Sequence, residues 1–169
     1  IIGDFLKQYI QPIRNYKRRE VYDQLEGYLR DDTEKTRDRV FILYGLRRTG
    51  KTTLIRQAIA AMSRGDFVRT AVMQVRPGTT LADINADMRW LERSGYRYVF
   101  IDEVTLAEDF IQGAALLSDI YAASGMKIVL SGTDSLGFIF TQSDELYDRA
   151  ILLHTTWIPY REFSKVLGI

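Results

Sequence analysis

The sequence predicts an α/β fold of three layers, in which helices cover both faces of a mainly parallel five-stranded sheet. Five short apolar runs alternate with segments of helical periodicity along the 169-residue chain. The runs are continuously apolar, which is typical of parallel strands that are buried on both faces. Polar clusters follow several of these runs, at the carboxyl ends of strands, where sheets of this kind bind their ligands.

The composition indicates a globular protein with one domain and a substantial core. Hydrophobic residues make up 46% of the chain and charged residues 27%. The absence of cysteine excludes a disulfide framework and a cysteine metal site. No apolar run is long enough to cross a membrane, and the start "IIGDFLKQYI" lacks the layout of a targeting peptide. We therefore expect a cytoplasmic protein, represented here by a segment of a longer chain.

The net charge of +1 is unevenly distributed along the chain. Residues 1–60 contain 13 Lys or Arg and 8 Asp or Glu (+5), whereas residues 61–169 contain 10 and 14 (−4). A positive first third could attract nucleic acid, but it also contains a glycine-rich loop that needs positive potential for its own ligand. The charge distribution therefore does not favour a nucleic-acid partner.

The first elements divide the chain near residue 38. Residues 1–38 are interpreted as an N-terminal helical extension, with an amphipathic helix over Tyr16–Leu29. The main domain is predicted to span residues 39–169. It begins with a strand at Arg39–Gly45, and a helix follows the turn after that strand.

A second strand and a strongly periodic helix are predicted next. The strand spans Phe67–Val75 and ends at "RPGTT". Thr80 and Asp83 resemble a capping box, with Asp in place of the usual Glu. The helix behind it has apolar residues at helical spacing, namely Leu81, Ile84, Met88 and Leu91. The later elements are a strand at Tyr96–Val104, a helix from Phe110 closed by Gly125, strands at Lys127–Asp134 and Ala150–Ile158, and a final helix at Tyr160–Gly168.

The stretch "GLRRTGKTTL" follows the first strand and matches the phosphate-loop pattern G-x-x-x-x-G-K-[ST]. Gly45 and Gly50 let the backbone curl so that several N–H groups face one anion. Lys51 reaches the β- and γ-phosphates, and the Thr52 hydroxyl binds Mg²⁺. A strand before the motif and a helix after it are the context that a true match requires. The motif therefore predicts a P-loop NTPase fold.

Other residues of the same loop extend the predicted nucleotide site. Arg47 and Arg48 could lie along the phosphates or point into solvent, and solvent is slightly favoured for Arg47. The predicted nucleotide-binding residues are Gly45, Arg48, Thr49, Gly50, Lys51, Thr52 and Thr53.

Two adjacent carboxylates end the third strand, in "YVFIDEV". Side chains alternate along a strand, so Asp102 and Glu103 are expected to have different roles. Asp102 is in the position of the aspartate that holds Mg²⁺ in P-loop NTPases. Glu103 is a candidate general base, or a group that orients the attacking water. The predicted metal-binding residues are thus Thr52 and Asp102.

Short polar residues also follow the fourth strand, in "KIVLSGTDS". If this strand lies between the first and the third, a hydroxyl of Ser131 or Thr133 could touch the attacking water or the γ-phosphate. The alternative is a turn that short polar side chains stabilise. The sequence does not rank these two hydroxyls.

Taken together, these motifs resemble those of AAA+-like prokaryotic ATPases. The matching stretches are "LRRTGKTTL", "FIDEV", "LSGTDSL", "ELYDRAI" and "IPYREFSKVLG", and the last of these is the most specific. The resemblance covers the chain from about Arg18 onward. It implies ATP binding, hydrolysis coupled to a conformational change, and a larger C-terminal domain beyond Ile169.

The resemblance also implies roles for residues outside the shared motifs. Arg149 matches an arginine that could neutralise charge on the γ-phosphate, although neighbouring Asp148 could pair with it instead. Residues 16–19 could flank the adenine ring or form a solvated helix start, and the second interpretation is favoured. Independently of the resemblance, both Trp90 and Trp157 are interpreted as packing residues. The predicted catalytic residues are therefore Lys51, Glu103, Ser131, Thr133 and Arg149.

The leading hypothesis is an Mg²⁺-dependent ATPase that drives a partner domain. A nucleotide-gated switch with negligible turnover is the main alternative. A small-molecule kinase is disfavoured because no arginine-rich lid stands out, and a GTPase because the sequence has no Asn-Lys-x-Asp stretch. The sequence leaves the oligomeric state open.

Overall fold

A parallel five-stranded sheet forms the centre of the molecule. The computed structural model describes residues 1–13, 17–107, 109–133 and 148–167. The strands are β1 (Val40–Gly45), β2 (Thr70–Gln74), β3 (Tyr98–Asp102), β4 (Lys127–Gly132) and β5 (Ala150–Thr155). They are arranged in the order β2-β3-β4-β1-β5, and all neighbouring strands are parallel. The predicted α/β fold is confirmed.

Helices precede, connect and follow these strands. They are α1 (Gly3–Ile10), α2 (Tyr22–Arg30), α3 (Lys51–Ala60), α4 (Arg64–Phe67), α5 (Leu81–Arg93), α6 (Phe110–Leu116) and α7 (Tyr160–Leu167). A π-helical stretch, Leu117–Ala122, continues α6, and short 3₁₀ turns occur at Gln11–Ile13 and Val104–Leu106. Within the described ranges, none of the helices has the length and apolar character needed to span a bilayer.

The two faces of the sheet bury separate apolar clusters, which gives the fold its three layers. Successive residues of a strand point to opposite faces, so each strand supplies both clusters. One cluster joins α5 and α6 to the sheet through residues that include Ile84, Met88, Phe110, Val40, Ile42 and Ile101. The other joins α1, α2 and α3 to the opposite face through residues that include Leu6, Leu25, Leu54, Phe41, Leu43 and Phe100.

The N-terminal helices share a core with the rest of the molecule. Leu6 of α1 and Leu25 of α2 are fully buried in the cluster that also contains Leu54 of α3. The Tyr28 hydroxyl of α2 donates a hydrogen bond to the Arg39 carbonyl, 2.8 Å away, at the start of β1. The division of the chain into two parts at residue 38 remains a prediction. The residues before and after this position pack closely against each other.

Several predicted boundaries differ from the structure by one to six residues. The second strand begins at Thr70 and not at Phe67, because Arg64–Phe67 forms the helical turn α4. Ser63 caps this turn by accepting a hydrogen bond from the Asp66 N–H at 3.2 Å. Helix α2 begins at Tyr22, six residues after the predicted start, and Tyr16 itself lies outside the described residues.

Strand β4 lies between β1 and β3. This is the position that the predicted role of the hydroxyls after β4 requires. Val129 of β4 is in register with Phe41 of β1 on one side and with Phe100 of β3 on the other. Because the strands are parallel, the segments that follow β1, β3 and β4 emerge at the same edge of the sheet. The phosphate loop, the acidic pair and the fourth-strand hydroxyls are therefore neighbours.

The capping box of α5 gives a test of the predicted local structure. The Asp83 N–H donates to the Thr80 hydroxyl at 3.2 Å, and the Thr80 N–H donates to the Asp83 carboxylate at 2.9 Å. Thr80→Ala should lower the free energy of unfolding by about 1 kcal/mol, because it removes the acceptor for the Asp83 N–H. Thr80→Ser keeps that acceptor and should unfold at nearly the urea concentration of the parent. Equal stability of the parent and the alanine variant would show that the cap is not effective.

Candidate functional site

Three loops enclose a cleft at the carboxyl edge of the sheet, next to the start of α3. The loops follow β1, β3 and β4, and the volume of the cleft is about 600 Å³. Its lining is rich in charged and hydroxyl side chains, which suits a polar ligand. The residues that border it are Arg47, Arg48, Gly50, Lys51, Thr52, Thr53, Asp102, Glu103, Thr105, Leu106, Ser131, Gly132 and Thr133.

The loop between β1 and α3 has the curled backbone that the motif predicts. Gly50 has a φ of 90°, which is readily accessible only without a side chain, and Arg48 has a φ of 64°. Helix α3 begins directly afterwards at Lys51. The first N–H groups of a helix lack partners within it and carry partial positive charge. This geometry suits the binding of an anion.

The Lys51 side chain folds back over its own loop. Its Nζ donates hydrogen bonds to the Gly45 carbonyl at 2.8 Å and to the Leu46 carbonyl at 2.6 Å. Lys51 also borders the cleft. The ammonium group is therefore held at the loop, within the region where the motif predicts phosphates.

The inner side of the loop rests on the end of β5. The position that a Cβ atom would take on Gly45 lies 2.3 Å from both the carbonyl oxygen and the hydroxyl of Thr155. Only glycine allows this approach. The Thr49 hydroxyl, which is buried, donates to the Leu46 carbonyl at 2.8 Å and lies 2.8 Å from the Thr155 hydroxyl. Thr49 thus stabilises the loop through its side chain, and only its backbone remains a candidate for ligand binding.

Two hydroxyl groups hold the carboxylate of Asp102. The Thr52 hydroxyl donates to one carboxylate oxygen at 3.2 Å, and the buried Ser131 hydroxyl donates to the other. Asp102 is only 5% exposed, and a buried carboxylate needs such partners to offset its lost hydration. The structure therefore brings together the two predicted metal-binding residues, Thr52 and Asp102.

This pair fits a magnesium ion. Among the residues that the structure describes, no group of three or more Asp, Glu and His side chains could hold a metal. Mg²⁺ does not require such a group, since it keeps several waters and takes further ligands from substrate phosphates. One hydroxyl and one carboxylate beside an anion-binding loop are a sufficient protein contribution.

Glu103 lies at the mouth of the cleft and differs from Asp102 in both burial and backbone conformation. Its side chain is exposed, and its φ of 61° is in the left-handed region that non-glycine residues seldom adopt. Its N–H donates to the Ser131 hydroxyl at 3.3 Å. The left-handed turn ends the alternation of the strand, so two consecutive carboxylates border one cleft.

The structure separates the two hydroxyl candidates after β4. Ser131 borders the cleft, but its side chain is fully buried, and its hydroxyl contacts the Asp102 carboxylate and the Glu103 N–H. A contact of Ser131 with the attacking water or the γ-phosphate stays a prediction. Thr133 is half-buried and borders the cleft, and its N–H lies 3.5 Å from the Thr105 hydroxyl. Thr133 is the better placed of the two.

Arg149 lies at the opposite edge of the sheet, and its predicted role toward the γ-phosphate is wrong for a site within one chain. Its carbonyl accepts a hydrogen bond at 2.9 Å from the N–H of Val40, the first residue of β1, whereas the phosphate loop follows the last residue of β1. The Arg149 guanidinium forms a 2.9 Å ion pair with Asp119. The physical reason is that a residue before a parallel strand lies at its amino end.

A second cavity of about 630 Å³ adjoins the other side of the phosphate loop. Arg48, Gly50 and Thr53 border both cavities, so the loop forms the wall between them. The remaining lining residues are Lys17, Arg19, Thr49, Leu54, Gln57, Trp157, Ile158, Phe163 and Leu167. Most of these come from the segment before α2 or from the end of the chain.

Trp157 borders this cavity, and its interpretation as a packing residue is wrong. Its side chain is 63% exposed, and Phe163 beside the same cavity is 45% exposed. An apolar cavity with two accessible aromatic rings suits a planar ring system. The sequence signal for this region is the stretch "IPYREF", which begins the quoted "IPYREFSKVLG". The sequence alone does not show on which side of the phosphate loop this stretch lies, because that depends on the path of β5.

Arg19 is a buried contact of the phosphate loop, a role that the sequence reasoning did not assign to it. Its guanidinium donates to the Thr49 carbonyl at 2.6 Å and to the Thr156 carbonyl at 3.1 Å. The suggestion that residues 16–19 flank a ligand is in agreement with the positions of Lys17 and Arg19, which both border the second cavity. The preferred interpretation, a solvated helix start, does not hold for Arg19.

A nearby tyrosine adds no charge to the site at neutral pH. Burial raises the pKa of Tyr9 to about 12, and the negative charge of Asp102 acts in the same direction. The Arg56 guanidinium, 4.7 Å from the centre of the Tyr9 ring, opposes this increase. The phenol therefore stays neutral, and the charges around Asp102 come from other groups.

The chain matches the family model described as AAA domain over residues 37–164. The match covers most of the chain and includes the phosphate loop, the acidic pair, the β4 hydroxyls and most of α7. No curated protein matches the chain.

The close approach of Gly45 to Thr155 gives a test of how the loop is held. Gly45→Ala should lower the free energy of unfolding by about 1–3 kcal/mol, because the new methyl group overlaps backbone atoms that cannot rotate away. Gly27→Ala is the matched control. It meets no atom within 4 Å in helix α2 and should leave stability unchanged or raise it slightly. Urea unfolding measures both, and equal stability of the two variants would contradict this account of the loop.

Proposed function

The chain belongs to the AAA domain family, and we propose that it binds ATP with Mg²⁺ and hydrolyses the β–γ phosphoanhydride bond. Family membership indicates a nucleotide-binding, ATPase-like domain. The observation that carries the finer proposal is the hydrogen bond from Thr52 to Asp102 in a cleft that Glu103 also borders. Anion-binding, metal-binding and proton-accepting groups thus surround one space.

The phosphates are proposed to bind along the loop from Gly45 to Thr53. The curled backbone and the start of α3 supply N–H donors, and Lys51 supplies a positive charge. The ammonium group now interacts with two loop carbonyls, so it is already at the loop when the phosphates arrive. Arg47 and Arg48 border the cleft and add positive potential there.

Thr52 and Asp102 are proposed to hold the magnesium ion. When bound, the ion neutralises charge on the phosphates. Ser131 keeps the Asp102 carboxylate in place by donating to its second oxygen, so the side chain is already oriented. Asp102 needs no rearrangement to present an oxygen toward Thr52.

Glu103 is proposed to prepare the attacking water. Its exposed carboxylate can accept a proton, and the contact of its N–H with Ser131 fixes its backbone at the cleft. Thr133 borders the same cleft, and its hydroxyl group is proposed to contact the attacking water or the γ-phosphate. A domain that only senses a nucleotide does not require this second carboxylate.

The base is proposed to occupy the second cavity, on the other side of the loop. Trp157 and Phe163 provide aromatic surfaces, and Gln57 and Lys17 provide polar groups at the cavity wall. The choice of adenine rests on the family and on the missing guanine-reading stretch. Coupling to a C-terminal domain beyond Ile169, and a cytoplasmic location, rest on the sequence resemblance and composition alone.

Substitution of Glu103, the proposed general base, separates ATP binding from turnover. Glu103→Gln should still bind ATP but should lower turnover at least about 100-fold, because the amide cannot accept the proton from water. Glu92→Gln removes a similar exposed charge on α5 and should retain the activity of the parent. Phosphate release over many turnovers measures the rate. Parent-like turnover in Glu103→Gln would contradict the assignment, and negligible turnover in the parent would favour the switch alternative.

Substitution of the loop lysine tests the phosphate-binding role. Lys51→Ala should weaken ATP binding about tenfold or more, because a charge-assisted contact with the phosphates is lost. Titration calorimetry gives the dissociation constant. Unchanged ATP affinity would show that the nucleotide phosphates bind elsewhere.

Substitutions of Trp157 and Trp90 test where the adenine base binds. Trp157→Ala should weaken ATP binding about tenfold through lost stacking, but it should leave the affinity for tripolyphosphate unchanged, since that anion has no base. Trp90→Ala is the matched control, because Trp90 is also exposed but lies on α5. If Trp157→Ala weakens both ligands equally, or neither, the base does not bind in the second cavity.

A further inference from the structure

We infer that Arg19 is a positioning residue that fixes the Thr49–Gly50 peptide so that the Gly50 N–H faces the phosphates. The inference rests on the proposed function, because it concerns how the same loop recognises its anion. It adds a residue from outside the motif, 30 positions before Thr49 in the sequence.

The Arg19 side chain is directed at backbone carbonyls. One terminal nitrogen donates to the Thr49 carbonyl at 2.6 Å, and the other donates to the Thr156 carbonyl at 3.1 Å. The residue is only 9% exposed, so water contributes little to these contacts. A charged donor to a buried carbonyl forms a strong hydrogen bond. The guanidinium therefore holds the phosphate loop against the segment that follows β5.

The planarity of the peptide bond converts this contact into an orientation. The described residues contain no cis peptide bonds, so the Thr49 carbonyl and the Gly50 N–H point in opposite directions. Because the carbonyl is held by Arg19, the N–H points away from Arg19. Arg19 borders the second cavity, whereas Gly50 borders both the second cavity and the phosphate cleft. The N–H is thus preset toward the cleft.

Glycine at position 50 makes this peptide easy to misorient. Its φ of 90° is one of many conformations that a residue without a side chain adopts at little cost. A flip of the 49–50 peptide would turn a carbonyl oxygen toward the phosphates and would repel them. The hydrogen bond from Arg19 opposes this flip, since the flipped peptide leaves a buried guanidinium without one of its two carbonyl acceptors.

Glu162 of α7 compensates the charge of Arg19. Its carboxylate lies 3.6 Å from the Arg19 Nε, and Glu162 is only 5% exposed. The same carboxylate oxygen accepts a hydrogen bond from the Glu20 N–H at 2.9 Å. A buried charge is stable only when it is paired, so α7 and the orientation of the loop peptide depend on each other through Arg19.

The experiment compares an anion without a base with a nucleoside without phosphates. Arg19→Ala should weaken tripolyphosphate binding about tenfold or more in titration calorimetry. Because Arg19 also borders the second cavity, the affinity for adenosine, measured by tryptophan fluorescence, should fall as well, but by a clearly smaller factor. Arg19→Lys keeps the charge but cannot donate to both carbonyls in the same way, and it should give an intermediate loss. Arg161→Ala is the matched control. The Arg161 side chain is 79% exposed and forms an ion pair with Glu20, the residue next to Arg19. Its substitution should leave both affinities unchanged.

A spectroscopic signature distinguishes positioning from general loosening. In the parent, tripolyphosphate should shift the Gly50 amide proton resonance to low field, because this N–H donates to the anion. The shift should be reduced by at least half in Arg19→Lys. This variant keeps the inference testable if Arg19→Ala does not fold. A full Gly50 shift in that variant, or equal losses of tripolyphosphate and adenosine affinity, would overturn the inference. Failure of the parent to bind tripolyphosphate would instead overturn the proposed function.

Discussion

The arrangement of the site depends on the pairing of β4 with β1 on one side and β3 on the other. This pairing brings the phosphate loop, the acidic pair and the β4 hydroxyls to one edge of the sheet. If β4 did not pair with β3, Ser131 could not reach Asp102, and the carboxylate would lose one of its two hydroxyl partners. The strands that position these groups are fully buried, so the apolar core maintains the spacing of the polar site.

Buried polar contacts then fix individual groups within this frame. Asp102 is held by two hydroxyls, and the phosphate loop is held from behind by Thr155 and Arg19. Each of these groups would be costly to bury without its partner. The Asp102 carboxylate and the phosphate loop are therefore oriented before any ligand binds. This lowers the free-energy cost of ordering these groups on binding. Glu103, in contrast, is exposed, which suits its proposed exchange of a proton with water.

Much of the fold and part of the site could be predicted from the sequence. The phosphate loop is a local motif, since a strand, a glycine turn and a helix determine its shape within about ten residues. Contacts between distant residues were missed. Arg19 meets Thr156, 137 positions away, and Trp157 reaches its cavity only through the path of β5. Arg149 shows a different error, because its place before a parallel strand already put it at the far edge of the sheet.

The most direct measurement is a crystal structure with Mg²⁺ and an ATP analogue that resists hydrolysis. The account predicts the β- and γ-phosphates on the N–H groups of residues 45–52, the metal within about 2.1 Å of the Thr52 hydroxyl, and the base beside Trp157. A triphosphate bound away from this loop, or a metal far from both Thr52 and Asp102, would contradict it.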